Sequence, residues 1–82
     1  MIDARTPRFL NAEEKTFVKS VYDQYRWSDC QTGKALRKAD RLNNDEFLRL
    51  RGQWNAARIS KDDYRVGRQL ADIRLFNLLI SL

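Results

Sequence analysis

Histidine is absent from the 82 residues; cysteine, proline and methionine occur once each, and glycine three times. Without imidazole the chain lacks the usual general base and the commonest nitrogen ligand for metals. The single Cys30 cannot close an internal disulfide, and small secreted domains generally need several, so a reducing cytoplasm is the expected compartment. With one proline, at Pro7, the rest of the chain is free of the strongest helix breaker. Long apolar runs are also missing. The richest stretch, Leu75 to Leu82, is interrupted by Asn77 and Ser81 and is too short to span a bilayer. Met1 to Leu10 carries Asp3, Arg5 and Arg8 where an export signal would need apolar residues. Together these absences argue against an enzyme, a metal site, a bound cofactor or a membrane segment.

What is present points to helices. Four times an oxygen-bearing side chain precedes, by three residues, an acid or amide that can reach back: Asn11 and Glu14, Ser28 and Gln31, Asn43 and Glu46, Ser60 and Asp63. The expected fold is all-α, a compact four-helix domain over residues 11–82 behind a short N-terminal arm, residues 1–10. Helix 1 is expected from Asn11 to Arg26, with Phe17, Val18, Val21, Tyr22 and Tyr25 on one side. Helix 2 is expected from Ser28 to Leu42, with Thr32 as a competing start and a turn at Asn43-Asn44. Helix 3 covers Asp45 to Ile59 with a seam of Phe47, Leu50, Trp54 and Ala57. Helix 4 covers Lys61 to Ile80 with two apolar seams. The expected core is Phe17, Val21, Leu36, Leu50, Trp54, Leu70 and Ile73. Trp27, at the first joint, and Trp54 are read as core anchors. Glycines Gly33, Gly52 and Gly67 all fall inside expected helices, where each marks a close approach by another backbone or a partner.

Charge supplies the functional reading. The chain carries 16 Lys plus Arg against 11 Asp plus Glu, and residues 1–25 are balanced, so the whole net charge of +5 follows Tyr25. Eleven of the basic residues are arginine, suited to bidentate contact with phosphate or carboxylate. Lys34, Arg37, Lys38 and Arg41 stand at offsets of zero, three, four and seven and share one helix stripe. Like charges at that spacing repel by ~0.2 to 0.5 kcal/mol per i to i+4 pair, a penalty that an anionic partner reverses. Arg49, Arg51, Arg58, Arg65 and Arg68 are candidates to extend the field, with Arg68 paired to Asp72 four residues on. The expected function is non-catalytic: a regulatory or accessory factor engaging nucleic acid or a nucleoprotein machine through that stripe. The alternative is a protein-binding inhibitor or adaptor, of the kind mobile elements encode, covering an acidic site on a host protein.

Other motifs are incomplete. Ala57 to Arg65 has half of a helix-turn-helix pattern, but Arg58 stands where glycine is usual, and Asp62 and Asp63 would face phosphates. Gly33-Lys34-Ala35 lacks the hydroxyl and the upstream glycine of a phosphate-binding loop. The carboxylate pairs Glu13-Glu14, Asp45-Glu46 and Asp62-Asp63 lie in expected first turns, where the helix dipole accounts for them. Cys30 has no base to activate it. A seam of Leu70, Ile73, Asn77 and Ile80, with a polar residue among apolar ones, suggests a homodimer through the C-terminal helix.

Overall fold

Helices in this chain begin where a side chain accepts a free backbone N–H. The computed structural model, which describes residues 1–82, contains three of them and no strand: α1, Ala12–Tyr25; α2, Gln31–Asn55; and α3, Lys61–Ser81. Asn11 and Ser60 form complete capping boxes with Glu14 and Asp63, as their spacing predicts. At α2 the cap is Cys30, whose Sγ accepts from the Gly33 N–H at 3.4 Å; Ser28 instead accepts the Cys30 N–H at 3.2 Å.

The expected helices 2 and 3 are one continuous helix, and Asn43-Asn44 lies within it. Leu36, Asn43, Phe47 and Leu50 are separated by seven, four and three residues, so the inward stripe passes through the two asparagines in register. Each asparagine lowers helix propensity by no more than about 0.7 kcal/mol relative to alanine, less than burial of Leu36 and Leu50 returns. Consequently Asp45-Glu46 is mid-helix, and Glu46 receives the Arg49 guanidinium instead of serving a helix start. At 25 residues α2 is about 37 Å long and sets the 41 Å length of the molecule.

The principal packing is α2 on α3, with α1 resting more lightly on both. Leu36, Leu50, Ala71, Ile73 and Leu79 are the buried apolar residues. Leu36, Leu50 and Ile73 match expectation. Phe17, Val21 and Leu70 are half-buried, Trp54 is 39% exposed, and Leu79 is buried without belonging to the expected core. No residue of α1 is fully buried; its Phe17 meets Phe76 edge to face at 5.7 Å. The glycine reading holds at two positions. A Cβ at Gly33 would lie 2.3 Å from the Ser28 carbonyl oxygen, and one at Gly67 would lie 2.8 Å from Leu50, where α3 crosses α2. Nothing approaches Gly52.

The arm is held by its ends. Asn77 accepts the Ile2 N–H at 2.8 Å and donates to the Ile2 carbonyl at 3.0 Å, while Arg8 grips Glu14 through two N–H donors. Phe9, in the same arm, is exposed. No helix is long and apolar enough to cross a membrane.

Candidate nucleic-acid interface

The expected basic stripe lies on the solvent side of α2, but its four members are not equivalent. Lys34, Lys38 and Arg41 are exposed and none is within ion-pair distance of a carboxylate. Asp40, the obvious local counter-charge, accepts the Tyr22 hydroxyl at 2.6 Å. Burial, and then that bond to a carboxylate, raises the Tyr22 phenol above its ordinary range, so it remains a donor. Arg37 turns inward. Its Nη1 donates to the Arg26 carbonyl at 2.9 Å and to the Ser28 carbonyl at 2.8 Å. Those carbonyls follow the last turn of α1, which has no basic residue of its own, so Arg37 brings a cation from α2 to a helix C-terminus. It belongs to the fold and leaves three free cations on the stripe.

Trp27 alters the picture most. Expected in the core, it is 81% exposed on the joint between α1 and α2. The joint is drawn tight beneath Gly33, and the indole is left outside, with the Arg26 guanidinium 5.0 Å from its ring centre. Trp27, Arg26 and Arg41 line one shallow cleft of about 340 Å³ with Asp40 and Asn44. An exposed ring flanked by unpaired cations can stack on a planar group while the cations meet an anionic backbone. The sequence signal was its position: Trp27 falls between two helices, outside both apolar stripes.

The proposed extensions of the field divide. Arg51 and Arg58 are exposed and unpaired, Arg49 is engaged by Glu46, and Arg65 is 4.0 Å from Asp62. Arg68 does not pair with Asp72. Its guanidinium lies 4.9 Å from the centre of the Phe47 ring and 5.9 Å from that of Tyr64. Asp72 is half-buried, and desolvation holds its pKa above the ordinary value despite the fields of Arg68 and Lys15. The self-association seam is not assembled on one free surface either: Ile73 is 0% exposed, Leu70 is half-buried, Asn77 is committed to Ile2, and Ile80 alone is exposed.

A groove of about 760 Å³ lies elsewhere, between α1 and α3. Lys61, Arg65, Arg68 and Asp72 stand at offsets of zero, four, seven and eleven along its α3 wall. That periodicity is visible in the sequence; that it confronts Lys15 and Lys19 of α1 is not. Cys30 is exposed, and its thiol is drawn below the usual value by the Ser28 hydroxyl and then by the Gly33 N–H. No three Cys, Asp or Glu side chains converge as metal ligands. Comparison of the chain with protein families, with curated proteins and with solved structures yielded no match.

Proposed function

We propose that this protein is a non-catalytic, cytoplasmic accessory factor that binds single-stranded nucleic acid across the first joint and the exterior of α2. Lys34, Lys38 and Arg41 meet phosphates, and Trp27 stacks on a base beside Arg26. The observation that carries the reading is the combination of a largely exposed tryptophan with cations that no carboxylate neutralises. Phosphate contacts supply attraction without sequence information, and base stacking tolerates any sequence, so the expected binding is weakly selective. A single strand fits better than a duplex because an indole projecting from a joint requires an unpaired base face. A dimer through the C-terminal helix draws less support, since Ile73 and Asn77 are already used within one chain.

Electrophoretic shifts with oligo-dT and oligo-rU across a salt series test this proposal. Three contacts to single-strand phosphates give a slope of log affinity against log salt of about −2. The triple variant Lys34→Ala, Lys38→Ala, Arg41→Ala should flatten that slope and retain the fold. Absence of binding by the wild-type chain at low salt overturns the reading.

A further inference from the structure

We infer that the groove between α1 and α3 is a docking site for an acidic amphipathic helix of a partner protein, distinct from the basic stripe of α2 although Arg26 lines both the groove and the Trp27 cleft. The groove runs from Leu10 and Leu75 to Trp54 and Lys61, which flank the α2–α3 joint. Its floor is apolar, formed by Leu10, Val18, Trp54, Tyr64 and Leu75. Its rim is cationic: Lys15, Lys19 and Arg26 on one side, Lys61, Arg65 and Arg68 on the other, against Asp72 as the one acid. The α3 wall from Lys61 to Leu75 spans fifteen residues, about 21 Å, or roughly four helical turns. An apolar floor between two helical walls accepts large side chains at i, i+3, i+4 and i+7 of an incoming helix, and its flanking positions would meet the rim.

Charge selects the occupant. Carboxylates flanking the apolar stripe of a partner helix would satisfy both rims, whereas a second copy of this chain brings the same excess of positive charge, +5. Nucleic acid suits the groove poorly. Trp54 and Tyr64 stack on each other, 4.7 Å apart and 27° from parallel, so their facing surfaces are already used. Trp27 has no such partner ring.

Selection of a displayed library of randomised helical peptides of about 16 residues, long enough to cover the α3 wall, against the full chain tests the site. Enriched peptides should carry large apolar residues at helical spacing flanked by Asp and Glu. Their affinity should fall about tenfold or more in Lys19→Glu, Arg65→Glu and be unchanged in the Lys34, Lys38, Arg41 alanine variant. The pair Lys19→Gln, Arg65→Gln, which removes charge without reversing it, should give a smaller loss with an unchanged circular dichroism spectrum. Failure to enrich any peptide, enrichment without acidic bias, or indifference to the Lys19 and Arg65 variants would overturn the proposal. So would displacement of the peptide by oligo-dT that persists in the Lys34, Lys38, Arg41 alanine variant, or a sedimenting dimer dissolved by Val18→Asp, which would assign the groove to nucleic acid or to a second copy.

Discussion

The two joints of this protein have equal length and opposite construction. Between α1 and α2, residues 26–30 turn against a helix whose first turn carries Gly33, with the Ser28 and Tyr25 carbonyl oxygens where a Cβ would stand. Arg37 then binds the carbonyls of the turn, and Trp27 is left in solvent. Between α2 and α3, residues 56–60 close with the Arg58 N–H on the Gln53 carbonyl at 2.9 Å and Ala57 at φ 56°. No side chain from another helix ties the carbonyls of this turn, and its tryptophan, Trp54, folds back onto Tyr64. Both joints close with backbone hydrogen bonds, the first with the Ser28 N–H on the Tyr25 carbonyl at 3.0 Å; the first adds a side chain from another helix, Arg37, and presents a ring outward, while the second turns its ring onto Tyr64.

Breaking the first joint should have the largest effect. Gly33→Ala drives a methyl group into backbone atoms that cannot move without displacing α1, a loss of about 3 kcal/mol in urea unfolding. An unchanged midpoint would show that the joint is looser than drawn. The tryptophans sharpen the contrast next. Trp54→Ala should lower stability by about 2 kcal/mol, less than the ~3 to 5 of a fully buried aromatic because the ring is partly exposed. Trp27→Ala should leave the unfolding midpoint within about 0.5 kcal/mol of wild type while weakening oligonucleotide binding. Arg37→Ala removes two charge-assisted hydrogen bonds at a partly exposed site and should cost about 1.5 kcal/mol, unlike Lys38→Ala beside it. At the second joint the sign reverses: Ala57→Gly relieves a left-handed backbone and should stabilise by about 1 kcal/mol.

The smallest expected effect lies in the arm. The Arg8 side chain first, then the Asn11 backbone, holds the Glu14 carboxylate down at about 2, against an ordinary 4.5. A group whose folded pKa is depressed contributes stability present above its unfolded value and lost as pH falls toward the folded one, here from about 4.5 to about 2. Glu14→Gln should therefore flatten the acid side of the stability profile across that window, read as thermal midpoint against pH.

Features governed by local chemistry were legible in the sequence. Two of the four cap signals, Asn11 and Ser60, start helices because a cap needs only its own residue and the next three, whereas Asn43 carries the same spacing in mid-helix and Cys30 takes the place of Ser28; of the glycines inside helices, Gly33 and Gly67 meet close neighbours and Gly52 meets none. The stripe on α2 was also readable, since helical spacing alone places Lys34, Lys38 and Arg41 together. What escaped depends on elements distant in sequence. Asn43-Asn44 reads as a turn until the α3 surface holds Leu36 and Leu50 in one stripe. Arg37 reads as a surface cation until the carbonyls of the first joint come within reach. The groove is the clearest case, because its walls are separated by the whole of α2 and neither face signals the other.

The proposed nucleic-acid binding requires Trp27 to be an outward-facing contact ring among free cations. In a Trp54→Phe background, where Trp27 is the sole indole, titration with oligo-dT should quench its fluorescence, and the apparent affinity should fall with salt at a slope of about −2. Emission that stays constant while the oligonucleotide binds, or equal affinity at low and high salt, would contradict it.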